Sequence, residues 1–340
     1  MTLRKGFSAF LASAGMVLLI LDSRTAMDSA AAGLWLCICS VIPALFPFLL
    51  CASVLNDTLW GCPLPLPNYL MQRLGIPDGA QCLLIPAFLG GYPAGAQAIG
   101  ETYRRGLLDK ASAEHLLTFC NNAGPAFLFG ITASAFPEKK MVWLLWGIHI
   151  LSALAAGMLD RSEECGSISL PAVSTPLPKQ LSVTVKTMAM ICGWVLLFRV
   201  ILGFLDRWAL WILPGQVRPL LWGMLELSNG CLRLSQITSI PMRFICCSAI
   251  LSLGGLCVLM QTASVTQGLS LKRCLKGKLT QTAFSLIFSV LIMHDYGIVI
   301  PAAVLWLVFF PQNRKKAVAF RGIPMYNASI NPGRSEHAVP

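Results

Sequence analysis

Apolar runs of bilayer length recur along the chain at residues 6–22, 29–55, 113–135, 141–159, 183–206 and 243–266, and a crossing helix needs about 20 such residues. Backbone inside hydrocarbon must satisfy its own hydrogen bonds, so these six runs are expected to be helices. A seventh run, 280–310, is too long for one span, and His294-Asp295-Tyr296-Gly297 sits in its middle as a turn signal. Read as two short, tilted helices, it brings the expected count to about eight transmembrane helices in an all-α polytopic membrane protein.

Composition agrees with that reading and excludes others. Of the 340 residues 56% are hydrophobic and 12% charged, with a mean hydropathy of +0.68, whereas soluble domains carry about 25% charged residues. The net charge of +11 does not point to nucleic acid, because the bases fall in short clusters between apolar runs, where they set topology. The thirteen cysteines lie mostly inside apolar runs and form no C-x-x-C pair, so they read as small apolar residues. The four histidines have no metal-ligand spacing, and neither metal nor cofactor is expected. G-x-S-x-G, H-E-x-x-H and the phosphate-binding G-x-x-x-x-G-K-[ST] are all missing, so the chain is expected to be neither an enzyme nor an ATP-driven pump.

Two apolar stretches are too short or too broken to cross: CLLIPAFLGGYPAGAQAIG (82–100) and LLWGMLELSNGCLRL (220–234). Each suits a re-entrant hairpin, which is tolerated at membrane depth only where protein or a watery cavity meets its polar groups. Long helix, broken segment, interrupted helix, helix is the order from 29 to 159, and the same order returns from 183. With an odd number of crossings in each unit the second is inverted relative to the first, and in such folds the substrate site lies at the repeat interface. The expected organisation is an N-terminal transmembrane helix (1–28), a first membrane repeat (29–160), a cytoplasmic linker (161–182), a second repeat (183–310) and a disordered basic cytoplasmic tail (311–340). Both termini are placed inside, with Arg73, Arg104, Arg105, Lys110, Lys272, Arg273, Lys276, Lys278 and Arg314 to Lys316 on the cytoplasmic side.

The residues that carry chemistry sit at the breaks. In GGYPAGAQAIG, Gly91, Tyr92 and Pro93 stop a helix, since proline removes a donor and clashes with the preceding turn. Gly95 gives a smooth face for close packing, and the restarting helix, which carries Gln97, exposes amide N–H groups suited to an anion or polar group. In FCNNAGPAFLFG (119–130), Asn121 and Asn122 bring amide donors and acceptors, and Gly124-Pro125 frees carbonyls of the preceding turn. Something polar must meet them, either the 82–100 hairpin, ordered water or a solute. Glu226, beside Asn229 and Gly230, is a carboxylate in an apolar segment, hence a proton relay, ion ligand or solute contact; the alternative is a boundary position paired with Arg218 or Arg233. Gly254-Gly255 is the corresponding break of the second repeat.

The pair Gly91-Tyr92-Pro93-Ala94-Gly95-Ala96 and Cys120-Asn121-Asn122-Ala123-Gly124-Pro125, joined by Glu-x-x-Arg-Arg-Gly, resembles the sporulation integral membrane protein YlbJ family over roughly residues 80–135. That family carries the nucleoside-recognition or Gate domain, shared with concentrative nucleoside transporters and the membrane part of the iron transporter FeoB. The resemblance implies a multi-pass protein of a bacterial inner membrane, associated with spore coat or cortex formation. It also implies the bilayer, a small polar solute and sporulation membrane or coat proteins as partners. No nucleoside-contacting residue is carried over. A solute-binding or transporting protein is the leading expectation, with Gly91, Tyr92, Pro93, Gly95, Gln97, Asn121, Asn122, Gly124, Pro125, Glu226 and Asn229 as its site; a non-transporting scaffold or assembly factor of the sporulating cell is the rival.

Overall fold

The structure, a computed structural model, describes residues 2–62, 64–160, 175–209, 212–295 and 300. Those residues fold as helices without a β-strand. Among the described residues four helical stretches are long and apolar enough to cross a membrane: Ser23–Thr58, Lys139–Leu159, Leu177–Trp208 and Ile240–Val265. Shorter helices fill in between them.

Helix α1 (Thr2–Leu21) turns at Asp22, whose carboxylate accepts from the Thr25 N–H and caps α2 (Ser23–Leu36). A π-helical turn, Cys37–Val41, joins α2 to α3 (Ile42–Thr58) without interruption. Pro43 and Pro47 follow it, and proline's missing N–H accounts for a locally widened ladder just upstream. After α4 (Asn68–Arg73) come the short turns Gln81–Leu83 and Pro86–Gly90, the break at Gly91, and α5 (Ala94–Arg104). Helices α6 (Lys110–Leu116) and α7 (Pro125–Gly130) flank an unwound stretch, and α8 (Lys139–Leu159) completes the first half.

The second half begins at Leu177. It has a long helix α9 (Leu177–Trp208), then a broken pair α10 (Arg218–Leu225) and α11 (Leu227–Leu232). An interrupted helix α12 (Ile240–Leu253) and α13 (Gly255–Val265) follows, then α14 (Leu271–Met293). The expected run 113–135 is thus two short helices about a break. Helix α9 begins inside the stretch read as linker, and α14 begins nine residues before 280, the expected start of its span. Residues 161–174 of the linker, nearly all of the second tilted helix expected in 280–310, and the tail fall outside the described residues.

Polarity is distributed as a bilayer demands. Phe7, Phe10, Trp35, Ile38, Trp143, Leu197, Ile201 and Ile287 are exposed, while Ser152, Ser248, Ser252, Gln281, Ser285 and Ser289 are buried. Lipid is as apolar as leucine, so helices associate through small residues and interhelical hydrogen bonds. The α8, α12 and α14 bundle shows this, with the Ser248 hydroxyl 3.3 Å from the Ser285 carbonyl it donates to. At one end, ion pairs and caps tie loops together: Asp160 holds Arg273 (3.1 Å) and Lys276 (2.9 Å), and Glu114 accepts from the Ser270 N–H (2.8 Å).

Candidate functional site

Four interruptions meet at the centre. Gly91 has φ 79° and ψ 173°, a conformation open essentially to glycine alone, and there the chain leaves its helical turn to present Tyr92 and Pro93. This tip lies directly on the second break, Cys120–Gly124. A Cβ on Gly124 would be 2.7 Å from the Gly91 nitrogen and 2.8 Å from its Cα, so the two backbones touch. One turn on, a Cβ on Gly95 would collide with the Cys120 carbonyl. In the second half, Glu226 separates α10 from α11, and a Cβ on Gly255 would sit 2.6 Å from the Gly223 carbonyl oxygen. The halves join where the Tyr92 hydroxyl donates to the Leu251 carbonyl, 3.0 Å away, beside Gly254.

The asparagines face the second half rather than the hairpin tip. Asn121 donates from Nδ2 to Thr262 Oγ1 (2.8 Å), and its carbonyl accepts from the Lys278 ammonium. Asn122 donates to the Phe119 carbonyl (2.6 Å) and accepts from Gln281 Nε2 (2.9 Å). The freed Ala123 N–H donates to His149 Nε2 at 3.0 Å. Most of the polar cost of the break is therefore met by α8, α13 and α14; the Oδ1 of Asn121 remains a buried acceptor without a partner among the described residues.

Lys278, placed in a cytoplasmic loop from the sequence, is only 4% exposed. It lies on the inner face of α14, where its ammonium also reaches Tyr92 Oη (3.0 Å), Gln281 Oε1 (2.8 Å) and Asn122 Oδ1 (3.4 Å). Sequence reading missed it, together with His149 and Gln281. The signal was present as a helical stripe: Cys274, Lys278, Gln281, Ser285 and Ser289 follow a spacing of three and four, the period of one helix face.

Glu226 is 2% exposed. It is not paired with a neighbouring arginine. Arg233 stacks on the Trp222 ring at 3.6 Å and lies 3.6 Å from Asp206, and Arg218 donates to the Leu213 carbonyl. The carboxylate instead caps α11, accepting from the N–H groups of Ser228 (3.1 Å) and Asn229 (2.8 Å) and from Asn229 Nδ2 (2.6 Å). Its charge is offset by amide dipoles at a helix start.

Between these groups lies a cavity of about 30 Å³, walled by Tyr92, Ala123, Glu226, Ser228, Val258 and Gln261 among others. Of the residues expected from sequence, Tyr92 and Glu226 line it. Gly91, Pro93, Gly95, Asn121, Asn122, Gly124 and Pro125 build the tip and the break beside it, and Asn229 holds the Glu226 carboxylate. Gln97 stands apart on α5, half-buried, its Oε1 without a partner among the described residues.

No family model matches the chain, and no solved structure matches it. Among curated proteins it is 26% identical over 275 residues to the sporulation integral membrane protein YlbJ of Bacillus subtilis (strain 168), a match covering 66% of this chain and 66% of that protein's length. With its membrane-length helices and this likeness, the chain is a multi-pass membrane protein similar to YlbJ.

Proposed function

We propose that the chain is a non-enzymatic membrane protein of the sporulating cell, in which two inverted repeats bind a small polar solute and pass it across the bilayer. The observation that supports this is the convergence of four helix breaks on a cavity walled by a buried carboxylate and a tyrosine. Broken helices at a repeat interface supply half-helix ends of both signs to a polar ligand, which is how transporters of this build hold their substrates. On this reading both termini are cytoplasmic, and the link to sporulation rests on the name of the relative. At about 30 Å³ the cavity is far smaller than a ligand pocket of roughly 300 Å³ or more. The conformation is then an occluded one, and solute enters when the Gly91–Pro93 tip moves off the Asn121-Asn122 break.

One observation favours a second reading. Nearly every polar group of the break is satisfied by protein, as a site held permanently shut would be. The chain would then be a scaffold that engages coat or cortex machinery through its cytoplasmic loops. Spore yield separates the two in a spore-forming host that lacks its own relative and carries wild type, Glu226→Gln, or Asn121→Leu with Asn122→Leu. A loss of spores at wild-type membrane levels is expected; full yield from every variant refutes solute passage and leaves the scaffold.

A further inference from the structure

The ammonium of Lys278 lies within hydrogen-bond reach of four oxygens, and none belongs to a carboxylate. Tyr92 Oη, the Asn121 carbonyl and Asn122 Oδ1 come from the first half, and Gln281 Oε1 from the second. The Tyr92 ring lies 4.9 Å below the same nitrogen. No ion pair to Lys278 is present among the described residues. A buried ammonium held only by neutral dipoles, one of them an unwound helix carbonyl, has the surroundings that membrane proteins give to an alkali cation. There too, carbonyls and amide oxygens replace the hydration shell. The cage draws ligands from both halves, so whatever fills it cross-links the tip, the break and α14.

We propose that these four oxygens form a built monovalent-cation site, and that the Lys278 ammonium is its tethered occupant, doing permanently what a bound ion would do reversibly. The inference goes beyond the proposed function and stands whether or not a solute enters the neighbouring cavity. It has two consequences: the intact chain requires no free sodium or potassium to hold its halves together, and removing the side chain opens a site that a free cation can enter.

The test uses the full chain purified in detergent micelles. The melting temperature is followed by tryptophan fluorescence in sodium, potassium or methylammonium chloride, against N-methylglucamine chloride at equal ionic strength. Wild type should show no selective response. Lys278→Ala should melt lower and recover, saturably, with methylammonium or an alkali cation. Lys278→Met, which fills the space with no charge, should melt lower and not recover. A response of Lys278→Ala no different from wild type and Lys278→Met overturns the proposal. Should Lys278→Ala fail to accumulate, it is produced again with methylammonium chloride in the growth medium. Recovery of monodisperse protein under that condition supports the site, and continued failure refutes it. Spore yield is not read in this experiment, so its outcome is separate from that of the solute reading.

Discussion

Alanine at Gly124 tests whether the two breaks of the first half are in true backbone contact. Its Cβ would lie 2.7 Å from Gly91 N, 2.8 Å from Gly91 Cα and 2.9 Å from Leu89 O, against an ordinary contact distance that starts at 3.4 Å. All three obstacles are backbone atoms, so no side chain can rotate away. The tip and the break must part by about 0.7 Å, the shortfall of the closest pair (3.4 less 2.7). The Ala123 N–H bond to His149, 3.0 Å long, runs from the adjacent residue; stretched by that much it passes the limit of about 3.5 Å for a hydrogen bond. Overpacking costs about 1–3 kcal/mol, and a lost buried hydrogen bond about 1 kcal/mol more, giving roughly 2–4 kcal/mol in all. Gly193→Ala is the control, because its Cβ meets nothing within 4 Å at an exposed position of α9. Unfolding of both variants in detergent, followed by fluorescence against denaturant, should show Gly124→Ala well below wild type and Gly193→Ala unchanged or slightly above it. A Gly124→Ala protein as stable as wild type would refute the contact between the breaks.

Tyr92→Phe removes a hydroxyl that donates to Leu251 O and accepts from Lys278; a loss of about 1–3 kcal/mol is expected, since two buried groups lose a partner. Glu226→Gln keeps the shape but sets an amide donor among three donors; about 1–3 kcal/mol should be lost in the same assay. Asn121→Ala and Thr262→Val, made singly and together, should couple by about 0.5–1.5 kcal/mol if their hydrogen bond joins the halves; additive losses would deny the link. Arg105 pairs with Asp57, and Lys276 with Asp160, near the loops that Glu114 and Ser270 tie together. Single cysteines at positions 105 and 276, in a background without the exposed Cys39, Cys51 and Cys62, should therefore label from one side of the membrane, and labelling from opposite sides would break the inverted repeat.

The parts of this fold legible in the sequence are those written in short, local signals. Tyr92-Pro93, Gly124-Pro125 and Gly254-Gly255 mark breaks because each alters the backbone at its own position, whatever the surroundings. For Glu226 the sequence left two readings open, a buried carboxylate in an apolar run and a boundary position beside Arg218 and Arg233, and the structure buries it. Its partners were not legible. The nearby arginines invited an ion-pair reading, yet the start of α11, next to Glu226 in the chain, supplied amide donors with no side-chain entropy to lose, and Trp222 took Arg233 by its face.

Lys278 shows where a hydropathy window fails. Averaged with Lys272, Arg273 and Lys276, it reads as one more base in a cytoplasmic cluster. A helix is not read as an average, however, because residues two apart face different directions. Lys272, Arg273 and Lys276 are exposed or partly so, the last two on Asp160, while two residues beyond Lys276 the helix has turned inward. Gly277 helps bring it there, since a Cβ at that position would strike Thr118 and α14 could not lie so close to the end of the α6 segment. That close approach is what lets a lysine reach the Asn121 carbonyl. The same sequence change, a glycine beside a lysine in a basic stretch, thus places a charge at the centre of the molecule instead of its rim. Gly277→Leu should accordingly displace Lys278 from its cage without altering a single one of the four oxygens, lowering the melting temperature as Lys278→Met does.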